Sequence, residues 1–317
     1  MKTGFELIDV LTGYQSAAAV AAACRVGVFD ALAAGARTAD EVAAVAGLAA
    51  GPTGALLAAL AELGLVGRDG YALTPLAERL RRGGDLEPLV RKEAFFAAVW
   101  TDLDATVRTG APRLAPWRDR LRDEPEVARN FLAALVVLAR ETGPDLTALP
   151  EFAPGRRVLD VGGALGSYAV PLAAAGADVT LVDLPEVAAW ARTCVPPTVR
   201  VVEADVLEVA ACGAAPGSVD TVLLSHLLHD LTDAQCARVL AEARRALAPG
   251  GAVVVVEIPS DAPGTMGPLF DLMMRIETPG KARKVNELED LLHLSGLPEV
   301  REAAYPRPVV VLIGETA

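Results

Sequence analysis

Acidic and histidine side chains recur where successive predicted strands end, and these residue types bind polar ligands and move protons. In chain order they are Asp160, Asp183, Asp205, His229 with Asp230, and Glu257. In an open α/β sheet the carboxyl ends of parallel strands meet at one edge, where ligands bind. We therefore expect one site at this edge, with carboxylates to hold a polar ligand and a histidine to accept a proton.

The elements that position these residues follow from the stretch Arg157–Pro185. A short apolar run, Val158–Val161, is typical of a strand buried on both faces. Gly162 and Gly163 let the chain turn sharply and bring its backbone close to a ligand. A helical segment follows, and a second strand ends at Asp183. This order predicts a nucleotide-binding βαβ unit.

The glycine turn indicates which nucleotide is bound. Asp183 follows the glycines by about 20 residues, where a carboxylate accepts both hydroxyls of a ribose. The turn itself reads Asp160-x-Gly162-x-Ala164-x-Gly166 and departs from the dinucleotide fingerprint. An acid before the glycines repels a pyrophosphate but attracts an ammonium. The residue types therefore favour S-adenosyl-L-methionine, which has an ammonium, a sulfonium and a ribose, over NAD.

The position of each residue along the sheet edge predicts which part of the cofactor it would contact. Asp205 would contact the adenine amine and Val206 the adenine ring, while Ser225 and Gly162 would lie near the methionine part. The full set expected to bind the cofactor is Asp160, Gly162, Gly163, Asp183, Leu184, Asp205, Val206 and Ser225.

His229 is the candidate general base, because a neutral imidazole takes a proton from a hydroxyl near physiological pH. Glu257 ends the neighbouring strand and would accept a hydrogen bond from the other imidazole nitrogen. Asp230 is a third catalytic candidate, although it also fits a turn. The alternative is a metal cluster of His226, His229 and His293, but His293 lies in an apolar helix and we expect no metal.

Aromatic and methionine side chains predict an apolar pocket for a flat substrate. With only 4% aromatic residues in the chain, their grouping is informative, although a core between domains fits them equally well. The candidates are Phe95, Phe96, Trp100, Phe270, Met273 and Met274.

Composition bounds the class of protein. The 317 residues are 52% hydrophobic and 22% charged, which predicts a folded protein large enough for two domains. A net charge of −12 argues against a nucleic-acid surface. No uninterrupted apolar run approaches the ~20 residues of a membrane span, and no signal-peptide core begins the chain. The four scattered cysteines fit reduced thiols, so we expect a cytoplasmic protein.

The N-terminal region predicts helices followed by a hairpin, which is the order of a winged helix. A ligand-sensing DNA-binding regulator is one interpretation, but the recognition helix Thr53–Leu63 carries no Lys or Arg. The nearly uncharged stretch Ser16–Ala34 instead favours a module that packs against another subunit. We expect this helical domain to span residues 1–149 and the α/β domain residues 150–317.

Together these motifs resemble the S-adenosylmethionine-dependent small-molecule O-methyltransferases of bacterial natural-product and plant phenylpropanoid metabolism. The matching stretches are Val158–Gly166, Leu181–Glu186, His229–Cys236, Leu247–Gly251 and Val256-Glu257. The resemblance implies an α/β, Rossmann-like, seven-stranded class I methyltransferase domain after an α-helical, winged-helix-like dimerisation domain. It also implies a homodimer in which His229 deprotonates a hydroxyl of an aromatic or polyketide-like metabolite.

The chain departs from that family at three positions. Ala164 replaces a third glycine, and its methyl group is tolerated there if the backbone keeps a negative φ. Leu231 replaces an aromatic residue, and Ala282 replaces a second glutamate, for which Glu277 or Glu287 is a possible substitute. The last two changes keep open a member of the family that does not transfer methyl groups. Transfer to carbon or nitrogen also remains open.

Overall fold

The computed structural model describes residues 3–306 and 308–316. The chain forms two compact units, Met1–Ala98 and Val99–Ala317. This division falls before the boundary at residue 149 that the sequence predicts. The reason is that Leu121, Ala128 and Leu132 share an apolar cluster with Leu165 and Val187 of the α/β region.

The first unit is helical. Its fourth helix begins at a capping box: the Thr38 side chain accepts from the Glu41 backbone N–H, and the Glu41 carboxylate accepts from the Thr38 backbone N–H. The predicted hairpin is reduced to a single bridge between Val66 and Leu73. The helices are α1 Gly4–Thr12, α2 Tyr14–Arg25, α3 Val28–Ala33, α4 Ala39–Ala46, α5 Ala50–Glu62, α6 Pro75–Glu78 and α7 Glu87–Trp100, whose end enters the second unit.

The start of the first unit exposes apolar side chains. No residue of α1 is buried, and Phe5 is 84% exposed. By length and composition alone, the stretch Gly4–Arg25 would suffice to cross a membrane, although the sequence shows no uninterrupted apolar run of that length. An apolar helical stretch of this kind is equally typical of a subunit interface.

The second unit is a sheet covered by helices on both faces, as predicted. Its strands are β1 Arg157–Val161, β2 Asp178–Asp183, β3 Arg200–Glu203, β4 Val219–Ser225, β5 Leu247–Glu257, β6 Glu299–Ala303 and β7 Val310–Glu315. Their order is β3-β2-β1-β4-β5-β7-β6, with β7 antiparallel to both neighbours and all other pairs parallel. The seven-stranded α/β fold class is confirmed.

Side chains of the central strands point alternately to the two faces of the sheet and so contribute to an apolar core on each face. Leu159 and Val161 face one apolar cluster, whereas Val158 faces the other. The helices of this unit are α8 Leu103–Thr109, α9 Trp117–Asp123, α10 Pro125–Thr142, α11 Ala169–Ala174, α12 Pro185–Cys194, α13 Asp233–Ala246, α14 Met266–Glu277 and α15 Val285–Leu294. Because both faces of the sheet are covered, only the ends of its strands remain for a ligand.

Candidate active site

The carboxyl edge of the sheet gathers the predicted residues around the point where the strand order reverses. Val161 of β1 is in register with Val182 of β2 on one side and with Leu224 of β4 on the other. The chain leaves β1 at Gly162, β2 at Asp183 and β4 at Ser225. The switch point between β1 and β4 is the place where open α/β sheets bind ligands.

The turn after β1 approaches its neighbours too closely for side chains. A Cβ on Gly163 would lie 2.7 Å from Oδ2 of Asp160, so glycine is required there. Gly162 adopts φ 69°, and Ala164 adopts φ 49°. The condition of a negative φ at Ala164 is therefore not met, because the turn keeps the left-handed backbone that suits the family's glycine.

Asp183 is fixed by backbone donors. Its Oδ2 accepts from the Ala164 N–H at 2.9 Å, and its Oδ1 accepts from the Leu184 N–H at 2.7 Å. Burial raises the pKa of Asp183 to about 6, although these two hydrogen bonds act in the opposite direction. The carboxylate is thus held rigidly, with lone pairs left to accept further hydrogen bonds.

Asp160 is buried without a hydrogen-bond partner. It is 1% exposed, and neither carboxylate oxygen makes a hydrogen bond of normal geometry to a described side chain or backbone group. Burial, together with the charge of Asp183, raises the pKa of Asp160 to about 7, although the nearby Ala169 N–H acts in the opposite direction. Such a group is costly unless a ligand satisfies it, and a cationic amino group does so best. The orphaned carboxylate therefore fits the ammonium of S-adenosylmethionine.

The residues expected around the adenine lie along the same edge. Asp205 Oδ1 accepts from the Leu207 N–H at 3.0 Å, and its Oδ2 pairs with Arg118 of α9. Val206 packs at the margin of one sheet core, and Leu184 packs in the cluster that includes Trp117. Ala164 belongs to that cluster as well, so α9 and the glycine turn share one apolar surface.

His229 and Glu257 form a buried pair. His229 lies in the single turn Leu228–Asp230, and its Nδ1 is 2.6 Å from Oε2 of Glu257, the last residue of β5. The His229 backbone N–H also donates to Glu257 Oε1 at 3.2 Å. An ionised carboxylate only accepts, so Nδ1 carries a proton, and in the neutral imidazole Nε2 is the free nitrogen. The expected bond from the imidazole to Glu257 is present.

The charges around this pair favour its ionised form. Burial alone would lower the pKa of His229, but Glu257, Asp230 and the more distant Glu277 raise it to about 9. Burial likewise opposes the charge of Glu257, yet His229 holds its pKa below the usual value. Asp230 Oδ1 lies 3.8 Å from Nε2 of His229, on the side away from Glu257.

His226 stands beside the pair as a neutral imidazole. Burial and the neighbouring His229 lower its pKa to about 4, against the influence of Glu257. Ligand atoms of His226, His229 and Glu257 lie within 4.8 Å of one another. His293 belongs elsewhere, since its Nδ1 faces the Leu297 carbonyl at 3.2 Å, so the three-histidine cluster considered from the sequence does not form.

Arg283 and Gly280 hold the turn that carries His229, and the sequence analysis missed both. Arg283 is 4% exposed and donates to the Leu228 carbonyl at 2.6 Å and the Leu231 carbonyl at 2.9 Å. A Cβ on Gly280 would lie 2.1 Å from the His229 carbonyl oxygen. The signal was present, since both residues belong to the stretch in which we noted only the missing glutamate.

Neither proposed substitute for the missing glutamate contacts His229. Glu287 caps α15 through the Lys284 N–H at 2.8 Å, and Glu277 pairs with Arg120 at 2.9 Å. Ala282 is buried and donates its N–H to Asp271 at 3.1 Å. Among the described residues, Glu257 is therefore the carboxylate that hydrogen-bonds the imidazole.

One aromatic side chain of α14 packs against the imidazole, and two methionines follow it on the same helix. The ring of Phe270 meets that of His229 edge-on, with centroids 5.1 Å apart. Met273 lies one turn further along and is half-buried, whereas Met274 is 2% exposed. Trp100, at the end of α7, is half-buried. In the first unit, Phe95 and Phe96 pack edge to face at 5.5 Å.

Comparison with known proteins decides the family. Residues 100–298 match the family model of the O-methyltransferase domain, and residues 8–83 match that of the O-methyltransferase dimerisation domain. The chain belongs to the O-methyltransferase family. It is therefore an S-adenosylmethionine-dependent methyltransferase, as the sequence predicts.

Three relatives illustrate the range of the O-methyltransferase family. The chain is 31% identical to a 3-hydroxy-5-methyl-1-naphthoate 3-O-methyltransferase of Streptomyces sahachiroi, over 95% of this chain and 92% of that protein. It is 29% identical to a phenazine-1-carboxylate N-methyltransferase of Pseudomonas aeruginosa, over 98% and 97%. Its fold superposes on the solved structure of PigF with SAH with a TM-score of 0.83, at 25% identity and full coverage of both chains.

Proposed function

We propose that this enzyme transfers a methyl group to a hydroxyl of an aromatic or polyketide-like secondary metabolite, with His229 as the general base. The single observation that carries the proposal is the buried hydrogen bond of 2.6 Å between His229 Nδ1 and Glu257 Oε2. It fixes the imidazole with Nε2 free to accept a proton, which a transferase acting on a hydroxyl requires.

The cofactor would be held by the sheet edge. Asp160 would satisfy the ammonium and Asp183 the ribose hydroxyls, while Gly163 leaves room for close approach of the ligand. Asp205, Val206, Leu184, Gly162 and Ser225 would contact the rest of the cofactor along this edge. When bound, the cofactor supplies a methyl group made electrophilic by the sulfonium.

The residues of this chain supply alignment and proton transfer. Phe270 orients the imidazole, and Arg283 and Gly280 fix the turn beneath it. His229 Nε2 accepts the proton of the acceptor hydroxyl as that oxygen becomes nucleophilic, and Glu257 stabilises the imidazolium that results. Asp230 lies on the Nε2 side and would stabilise the same charge. We assign His229 and Glu257 to this proton transfer and not to a metal, because Nδ1 of His229 and Oε2 of Glu257 are already joined by a hydrogen bond.

A homodimer would cover the apolar start of the chain. The side chains of α1 and the start of α2 that stand more than half exposed are Phe5, Leu7, Ile8, Val10, Leu11 and Tyr14. They lie in or beside the region that matches the dimerisation domain. An exposed apolar stripe of this length is stable in water when a second copy buries it.

Transfer to nitrogen is the second candidate, and the N-methyltransferase relative favours it. The two reactions separate by product. Labelled S-adenosylmethionine would be incubated with matched hydroxyaryl and aminoaryl acceptors, and the products identified by mass spectrometry and NMR. We expect methyl ethers; methylamines alone would replace the proposal, and binding of the cofactor without any methylated product would favour non-methylating chemistry.

A further inference from the structure

Arg120 of α9 is a buried cation with an unused donor. Its side chain is 6% exposed, and Nη1 donates to Glu277 Oε1 at 2.9 Å. Its other terminal nitrogen, Nη2, is buried and has no hydrogen-bond partner among the described residues. A guanidinium N–H left without an acceptor in the interior is costly, so this position calls for a ligand oxygen.

Arg120 lies between the residues of the cofactor edge and helix α14, which contacts His229. Its guanidinium packs over Trp117 at 4.9 Å and Phe131 at 5.6 Å. Both rings belong to the apolar cluster that contains Ala164 and Leu184 of the cofactor edge.

On the other side, Glu277 ends the same helix that presents Phe270 to His229. Arg113 donates its N–H to the Ile276 carbonyl at 2.7 Å, which ties the segment before α9 to that helix end.

Helix α14 carries both Phe270, which contacts His229, and Glu277, which binds Arg120, and its geometry therefore indicates the length of the acceptor. Phe270 and Glu277 are seven residues apart on α14, which places them on one face at a separation of roughly 10 Å. An acceptor whose hydroxyl reaches His229 would therefore extend about that far toward Arg120. This is the scale of a fused-ring aromatic that carries an oxygen at its far end.

Local charge decides what kind of oxygen fits. Glu277 already neutralises Arg120, and Glu257 and Asp230 place two further carboxyl groups beside His229. A second carboxylate at Arg120 would meet this acidic surrounding, whereas a neutral carbonyl accepts the spare N–H at no cost in charge.

We propose that Arg120 Nη2 binds a neutral carbonyl oxygen of the methyl acceptor, so that the enzyme selects fused-ring hydroxyaryl ketones or quinones. This inference rests on the proposed acceptor site at His229. It assigns Arg120 a role in specificity that neither the comparisons nor the sequence motifs give it.

The test compares three ring-matched probes by calorimetry, with S-adenosylhomocysteine present: 6-hydroxy-2-acetonaphthone, 2-naphthol and 6-hydroxy-2-naphthoate. The wild type should bind the ketone at least about tenfold more tightly than the naphthol. Arg120→Lys, which keeps the charge but loses the second nitrogen, should reduce this ratio to near one and leave naphthol binding within about twofold. Arg122→Lys, an exposed position on the same helix, is the matched control and should keep the ratio.

A second variant tests the charge argument independently. Glu277→Gln removes the carboxylate that neutralises Arg120. The affinity of this variant for the naphthoate should therefore be at least about tenfold higher than that of the wild type. Equal affinities of the wild type for ketone and naphthol, or a ratio unchanged in Arg120→Lys, would overturn the inference. Tighter binding of naphthoate than of ketone by the wild type would overturn the neutral carbonyl. If the ketone bound selectively but was not methylated, the role of Arg120 in binding a carbonyl would be supported and the proposed O-methyl transfer would be contradicted.

Discussion

The imidazole of His229 is held between Glu257, whose Oε2 lies 2.6 Å from Nδ1, and Phe270, whose ring is perpendicular to it with the two centroids 5.1 Å apart. The carboxylate comes from the end of a central strand, the ring from a helix beyond it, and the histidine from a single turn between them. Because the three elements are packed independently, the direction of Nε2 is set before any acceptor arrives.

The first prediction concerns the pH dependence of methyl transfer. Glu257, with Asp230 and the more distant Glu277, raises the pKa of His229 to about 9 against the effect of burial. Only the neutral imidazole accepts a proton, so the rate should rise with pH through a limb above 6.5. Glu257→Gln removes the largest of the charges that raise this pKa, so the limb should move to lower pH while the maximal rate falls by about 100-fold or more. Profiles of kcat/KM from pH 5.5 to 10 measure both effects.

Asp230→Asn serves as the comparison for that profile. Its carboxyl lies 3.8 Å from Nε2 and is 45% exposed, so it should lower the limb by less than Glu257→Gln does. A Glu257→Gln profile that coincides with the wild type would show that the carboxylate does not control the base.

The second prediction is that replacing Asp160 has opposite effects on the stability of the protein and on its affinity for the nucleoside. Its pKa of about 7 in the folded chain exceeds the unfolded value of 3.8, so ionisation costs stability as pH rises from about 4 and the cost is complete above 7. Asp160→Asn should therefore stabilise the ligand-free protein at pH 8 by up to roughly 4 kcal/mol, with no gain at pH 4. Its affinity for S-adenosylhomocysteine should fall about tenfold or more.

Denaturant unfolding at the two pH values and calorimetry with the nucleoside measure these opposite effects. Asp178→Asn, at the exposed start of β2, is the control: it loses only a surface ion pair with Arg200, so stability should change by less than about 1 kcal/mol and the affinity should not change. If Asp160→Asn left both the stability at pH 8 and the affinity unchanged, Asp160 would not be the anchor of the ammonium.

The third prediction follows from the backbone at Ala164. At φ 49° an alanine is strained by about 1–2 kcal/mol, part of which glycine returns through its flexible unfolded state. Ala164→Gly should therefore raise the free energy of unfolding by about 0.5–1 kcal/mol. Ala241→Gly, on the exposed face of α13, should lower it by about 1 kcal/mol. Urea titrations compare the two, and equal losses would mean that the turn stores no strain.

The fourth prediction separates positioning of His229 from cofactor binding. Arg283 holds two carbonyls of the turn and Asp233 Oδ1 at 2.7 Å, and lysine cannot make all three bonds. Arg283→Lys should lower kcat at least about tenfold while the Kd for S-adenosylhomocysteine stays within about twofold. Lys281→Met removes only longer ion pairs, with Asp233 at 3.8 Å and Glu287 at 3.5 Å, and no bond to the turn carbonyls, so it should keep kcat near the wild-type value. A parallel loss of kcat and nucleoside affinity in Arg283→Lys would indicate general unfolding.

Much of the fold and the edge of the site could be predicted because they depend on local sequence. The strand at Val158–Val161, its glycine turn and the acid at Asp183 lie within one βαβ unit, and register then brings the later strands to the same edge. The bond from His229 to Glu257 could be predicted as well, since both residues follow adjacent parallel strands.

The remaining contacts depend on packing between distant segments, which no local pattern encodes. Arg120 and Glu277 are 157 residues apart, and α9 carries no motif that marks a site. The positive φ of Ala164 contradicts the preference of alanine, because close packing around Gly163 imposes the conformation of the whole turn. Arg283 acts through carbonyl oxygens, which any residue types in the turn would provide.

The most direct measurement is the single-turnover rate of methyl transfer to a hydroxyaryl acceptor by the wild type and by His229→Ala, with the Kd for S-adenosylhomocysteine measured on both. We expect the variant to keep nucleoside affinity within about twofold and to lose at least about 100-fold in the rate of methyl ether formation. A variant that binds the nucleoside and still forms the ether at the wild-type rate would contradict His229 as the base.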